Sequence, residues 1–133
     1  MKNKAILCVD DEVIILAALK QELKSGFGDQ YIIEAAMDAD EAMAVLKELS
    51  VKGIAVRLII TDWLMPGIKG DELLINIKGT HPEIKSIMIT GQADDAAIQR
   101  AKNEAGVHTV MGKPWSKEEL FSAINGCLNV YID

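Results

Sequence analysis

Four groups of polar residues in this chain are of the types that handle phosphate and hard cations: the acidic run Asp10-Asp11-Glu12, the lone Asp62, the pair Thr90-Gly91, and Lys113. Ionised carboxylates crowded together repel unless protons or a cation compensate. Oxygen ligands suit Mg2+, which takes one or two protein carboxylates and fills its shell with water and phosphate. With Asp10 and Asp11 as metal candidates, the set asks for a cation and a phosphate together. Asp62 supplies a carboxylate able to attack phosphorus, as in aspartyl-phosphate chemistry. The Thr90 hydroxyl and Lys113 ammonium could bind the equatorial oxygens of the moving group, and Gly91 leaves space and an N–H beside it. Taken singly, Asp11, Asp71 or Thr90 reads better as a helix cap or loop residue. Independent caps, however, need not converge with charges suited to metal and phosphate.

Convergence depends on the elements that carry these residues. Apolar runs rich in β-branched residues at Ala5–Val9, Tyr31–Ala35, Leu58–Thr61, Ser86–Thr90 and Val107–Met111 read as strands. Helical periodicity fills the intervals at Val13–Lys24, Asp40–Leu49, Asp71–Lys78 and Ala93–Ala105, and a last helix is expected over Lys117–Val130. Strands alternating with crossover helices imply a parallel sheet covered on both faces, which is why Leu58-Ile59-Ile60 and Ile87-Met88-Ile89 are apolar without alternation. The expected fold is α/β, a flavodoxin-like (βα)5 three-layer sandwich. With strand order 2-1-3-4-5, the ends carrying Asp10, Asp62, Thr90 and Lys113 line one edge at the switch point. Gly26 and Gly28 are expected to end the first helix, Gly53 follows the second and His81-Pro82 stops the third, while Ser116 is a plausible N-cap of the last.

At 133 residues the chain fits one domain, residues 1–133, since single cores commonly occupy about 100 to 150 residues. A net charge of −6 argues against a nucleic-acid surface, which concentrates Lys and Arg. No apolar stretch approaches the roughly 20 residues needed to span a bilayer, and the N-terminus lacks a signal peptide's features, so a cytoplasmic location is expected. Cys8 and Cys127 lie in apolar segments with no cysteine or histidine cluster near them, and are expected to be buried free thiols.

The order Val9-Asp10-Asp11-Glu12, Asp62-Trp63-Leu64-Met65-Pro66-Gly67, Thr90-Gly91 and Lys113-Pro114 resembles response-regulator receiver domains of two-component signalling, over nearly the whole chain. Each motif is short, but four in this order at these strand ends are specific. The resemblance implies that Asp62 accepts a phosphoryl group from a phosphohistidine on a sensor histidine kinase or histidine phosphotransfer protein. It implies that Asp11, Asp62 and the Leu64 carbonyl bind Mg2+, with Asp10 acting largely through water. Thr90 and Lys113 would then read the phosphoryl group and move the region between the fourth strand and fourth helix. The Lys113-Pro114 peptide is typically cis in such domains. More narrowly, Thr90-Gly91-Gln92-Ala93-Asp94 with Lys113-Pro114-Trp115 looks like receivers attached to cyclic-dinucleotide phosphodiesterase domains and some hybrid kinases. An output domain beyond this chain is thus an expectation.

Val110 departs from the family pattern, because an aromatic ring that turns inward usually stands three residues before the lysine. A smaller or differently routed change on the face of the last two helices is therefore expected. Apolar Leu64 and polar Gln92 stand where the family tunes loss of the phosphoryl group, and a slow loss is expected.

The leading expectation is a regulated switch that catalyses only its own phosphorylation and dephosphorylation and turns over no metabolite. A flavin carrier would need a phosphate-cradling loop where Asp10-Asp11-Glu12 would repel phosphate. An aspartyl phosphohydrolase would normally place its nucleophile after the first strand with an acid two residues on, whereas here Asp10 and Asp11 are adjacent and Val13 follows Glu12, two residues after Asp11. A receiver-like scaffold that binds partners without phosphorylation stays open at this point. Trp63 and Trp115 read as packing residues, His81 and His108 have no metal partners, and Asp38-Ala39-Asp40-Glu41 reads as a capping run.

Overall fold

Each apolar run forms a strand and each periodic interval a helix. The computed structural model describes residues 2–92 and 94–128. Its elements are β1 (Lys4–Val9), α1 (Val13–Phe27), β2 (Ile32–Ala36), α2 (Ala39–Val51), β3 (Ala55–Thr61), α3 (Gly70–Thr80), β4 (Lys85–Ile89), α4 (Asp95–Glu104), β5 (Thr109–Met111) and α5 (Lys117–Leu128). The strands pair in parallel in the order β2-β1-β3-β4-β5, the flavodoxin-like arrangement.

Side chains alternate across the sheet and separate two cores. Leu7 and Val9 of β1 pack with Leu46 of α2, Leu73 and Leu74 of α3 and Ala101 of α4 on one face. Ile6 and Cys8 pack with Leu19 and Leu23 of α1 and Leu120 and Ile124 of α5 on the other. Burial pushes the Cys8 thiol up to about 12 and the Cys127 thiol up to about 11, so both stay protonated at neutral pH. The β1–β3 ladder shifts register at one point: Ala5 pairs with Val56 but Ile6 pairs with Leu58, leaving Arg57 as the extra residue of a bulge.

The boundaries differ from the sequence expectation where burial changes along an element. β3 begins three residues earlier than Leu58, because Ala55 and Arg57 are exposed while Val56 is buried and the start of the strand reads as broken. Tyr31 precedes β2 and buries its ring outside the ladder. Val107 and His108 precede the three-residue β5, so His108 is not a strand residue; its ring lies exposed, 2.7 Å from the Thr109 hydroxyl. Thr90 likewise falls just beyond β4. Gly26 lies inside α1 instead of ending it, because a Cβ there would overlap the Phe121 ring of α5, and Gly28 is the C-cap. The expected ends at Ala93 and Val130 lie outside the described residues.

The expected caps form at Asp38 and Ser116, and Asp94, expected inside the fourth helix, caps it instead. Asp38 accepts from Glu41 N–H at 2.8 Å, Asp94 from Ala97 N–H at 2.7 Å and Ser116 from Glu119 N–H at 3.0 Å. Gly70 opens α3 under a tighter constraint: a Cβ there would fall on the Asp62 carbonyl oxygen and 2.8 Å from Trp63 Cα. Gly79 in the same helix has open space around it. In urea denaturation, Gly70→Ala is expected to lower stability by about 1–3 kcal/mol through overpacking. Gly79→Ala should raise it by about 0.5–1 kcal/mol by removing backbone freedom.

Candidate functional site

The parallel register places the carboxyl ends of β1, β3 and β4 side by side. Val9 pairs with Thr61, Thr61 with Met88 and Ile89 with Met111, so the residues just past these ends emerge together. The ladder continues one residue past each strand: Asp10 N–H donates to Ala36 O at 3.1 Å, Asp62 N–H to Val9 O at 2.9 Å and Thr90 N–H to Met111 O at 2.9 Å. Main-chain hydrogen bonds thus anchor these residues directly. Asp62 and Thr90 open onto a crevice of about 190 Å3 lined also by Asp11, Glu12, Leu64, Gly91, Gln92 and Lys113. A larger concavity of about 390 Å3, lined by residues including Arg57, His81 and Ile84, lies at the opposite edge and brings no comparable set together.

Lys113 Nζ donates to Asp10 Oδ2 at 2.8 Å and Asp62 Oδ2 at 3.0 Å, and stands 3.7 Å from Glu12 Oε1. Asp10 and Asp62 are almost fully buried, at 3% and 5% exposure. One carboxylate oxygen from each of Asp10, Asp11 and Asp62 lies within 4.8 Å of the other two. Burial, the largest influence, raises the Asp10 carboxyl above its ordinary range, and the bonds from Lys113 and the Glu12 N–H offset this only in part. Burial works against the Lys113 ammonium as well, yet its hydrogen bonds to Asp10 and Asp62 outweigh it and raise its affinity for the proton. The same contacts outweigh burial at the ammonium but not at the Asp10 carboxylate. Such a donor set of hard oxygens, short of positive charge, fits a divalent ion such as Mg2+.

The other expected residues surround this centre. Trp63 N–H donates to Asp62 Oδ1 at 2.7 Å, and the Thr90 hydroxyl accepts from Gln92 N–H at 3.2 Å. A Cβ at Gly91 would come only to 3.9 Å from Lys113 Cβ, so the protein itself does not demand glycine there and open space lies in front of it. Leu64 is partly exposed on the crevice wall. The Lys113–Pro114 peptide is cis. Val110 is half-buried against the core on the α3 and α4 face.

The two tryptophans lie on opposite faces of the sheet and do not form a stacking pair. Trp115 Nε1–H donates to Glu22 Oε1 of α1 at 2.8 Å, and Trp63 Nε1–H to Asp71 Oδ1 of α3 at 3.1 Å. Sequence reading left Glu22 unmarked and took Asp71 for a possible cap. The available signal was an indole beside each motif, since a buried indole N–H needs an acceptor.

A family model described as response regulator receiver domain matches residues 6–125. Chemotaxis protein CheY-3 of Vibrio cholerae is 34% identical over 123 residues, covering 90% of this chain and 87% of that protein. The hydrogenase transcriptional regulatory protein HoxA of Cupriavidus necator is 32% identical over 92% of this chain, which spans only 24% of that regulator's length. Among solved structures, the signal receiver domain of an HD domain-containing protein from Pseudomonas fluorescens Pf-5 superposes with a TM-score of 0.85 at 30% identity, covering 97% of this chain and 89% of that one. Together with the parallel sheet and the acidic crevice at its switch point, these matches show that the chain belongs to the response regulator receiver domain family of two-component signalling.

Proposed function

We propose that this receiver takes a phosphoryl group onto Asp62 and uses the charge state of the crevice to switch what it binds. The observation that carries the reading is the single Lys113 ammonium bonded to both Asp10 and Asp62 beside the open space at Gly91. Asp10, Asp11, Asp62 and the Leu64 carbonyl would hold Mg2+. When bound, the ion supplies positive charge to oxygens of the transferring phosphoryl group. The chain's own residues do the rest. The Asp62 carboxylate, fixed by the Trp63 N–H, presents an oxygen to phosphorus, and Lys113 Nζ moves from carboxylate toward phosphoryl oxygen as negative charge arrives there. Thr90 Oγ1 donates to the same group once its hydroxyl turns into the crevice.

The donor is a histidine kinase or histidine phosphotransfer protein, and residues 1–133 act as one domain in the cytoplasm. Turnover is confined to gain and loss of this one phosphoryl group, without a metabolite. Identity to a longer transcriptional regulator, and likeness to the receiver of an HD domain-containing protein, support an output domain in the same chain or a partner chain. Val110 offers no ring to swing between pockets, so the change on the α4, β5 and α5 side is smaller than a ring swing would give, or differently routed.

Intact mass spectrometry after incubation with acetyl phosphate should show a gain of one phosphoryl group that requires Mg2+ and is lost in Asp62→Asn. No gain in the unsubstituted protein would refute the acceptor role. Leu64→Asn should shorten the lifetime of that group, measured as decay of the phosphorylated mass after donor removal; an unchanged decay would exclude Leu64 as a barrier to water.

Asp10 generates a separate expectation for the metal-free protein. Because the fold raises its pKa, the ionised carboxylate is less favourable folded than unfolded. Stability is fully present below the ordinary value of 3.8 and is lost as pH rises through the raised one. Asp10→Asn in the presence of chelator should therefore raise Tm at pH 7 by about 3–5 °C, equivalent to about 1 kcal/mol. The gain should shrink as pH falls toward 4, and a gain independent of pH would show another origin.

A further inference from the structure

Asp71, in the first turn of α3, is 6% exposed. Carboxylates are seldom that buried unless paired, and both oxygens of Asp71 are engaged. Oδ1 accepts from the Trp63 indole at 3.1 Å, and Oδ2 lies 3.5 Å from Arg100 Nη1 on α4. Trp63 is itself locked to the acceptor. Its N–H donates to Asp62 Oδ1 at 2.7 Å, its carbonyl accepts from Gly70 N–H at 2.8 Å, and Lys69 Nζ stands 5.8 Å from the ring centroid. A continuous polar path therefore runs from Asp62 through Trp63 and Asp71 to Arg100 on the neighbouring helix.

At the far end of the path three carboxylates share one guanidinium. Arg100 also donates to Glu72 at 2.7 Å and Glu104 at 3.1 Å, both more exposed than Asp71, so its guanidinium can exchange a buried partner for surface ones. The near end changes with chemistry. When the Asp62 carboxylate attacks acetyl phosphate, an oxygen–phosphorus bond forms, acetate leaves, and the carboxylate becomes a neutral acyl group carrying phosphate. The Trp63 N–H then loses a charged acceptor, and charge-assisted hydrogen bonds are roughly twice as strong as neutral ones.

We propose that Asp71 and Arg100 are positioning residues that couple the state of Asp62 to α4, with the Trp63 indole as the link; this rests on Asp62 being the phosphoacceptor. The route passes between α3 and α4 and needs no aromatic side chain on β5. Equilibrium coupling is reciprocal, so the pairing of Arg100 also biases how readily Asp62 holds its phosphoryl group.

The test uses the full chain with Mg2+ and acetyl phosphate, reading the intact mass and amide hydrogen exchange of α4 in the same samples. Phosphorylation of the unsubstituted protein should change α4 exchange at least about 5-fold. Asp71→Asn, which keeps an oxygen for the indole but not the charge, and Arg100→Gln, a surface change, should gain the same mass while losing most of that response. Arg100→Lys should restore part of it, and Glu72→Gln, which removes only a surface partner, should leave it intact. A full α4 response in Asp71→Asn and Arg100→Gln would overturn the coupling while leaving the acceptor role standing, as would a phosphorylated protein with no α4 response. Failure of the unsubstituted protein to gain mass would overturn both.

Discussion

Lys113 holds together a place that electrostatics would otherwise push apart. Its ammonium bridges Asp10 and Asp62, which approach from adjacent strands, with Asp11 and Glu12 on the rim of the same crevice. One cation cannot neutralise that many carboxylates, and burial of Asp10 makes the deficit costly. The core accepts this cost only because the main chain leaves no alternative: each acidic residue is the next step of a strand whose last backbone bonds are already made. The unbalanced charge is thus built into the sheet: a bound cation would relieve it, whereas a phosphoryl group would add negative charge and so call for that cation.

The fold was legible because its chemistry is repetitive. Continuous apolar runs such as Leu58-Ile59-Ile60 identify strands covered on both faces, and acidic or hydroxyl residues at Asp38 and Ser116 begin helices. The candidate residues were legible for a related reason, since the carboxyl ends of neighbouring parallel strands share an edge whatever their side chains do. What escaped was long-range and side-chain specific. Nothing local to Glu22 or Arg100 announces that one meets an indole 93 positions away and the other a buried carboxylate 29 positions away. Gly26 was misplaced for the same reason: its neighbour in space is Phe121, and the sequence offered only its reputation as a helix terminator.

Those long-range contacts share a pattern. Each tryptophan sits within two residues of a candidate site residue and reaches a carboxylate on a helix, Trp115 toward α1 and Trp63 toward α3, on opposite faces of the sheet. The loops bearing Lys113 and Asp62 are thereby braced from both layers. Close packing of Gly70 beneath Asp62 and Trp63 adds a third restraint on the acceptor loop. Positional tolerance in phosphoryl transfer is small, and these braces tie it to packing well outside the crevice.

The bulge at Arg57 bears on how such chains lengthen and shorten over generations. Val56 faces one core and Leu58 the other, as consecutive residues of an uninterrupted strand would, so Arg57 is an insertion that the sheet absorbs while the rest of β3 keeps its facing. Every later pairing, including the one that brings Asp62 beside Asp10, is indifferent to its presence. A lineage could gain or lose this residue without disturbing the crevice, and an alignment gap belongs there, inside a central strand, instead of in a loop.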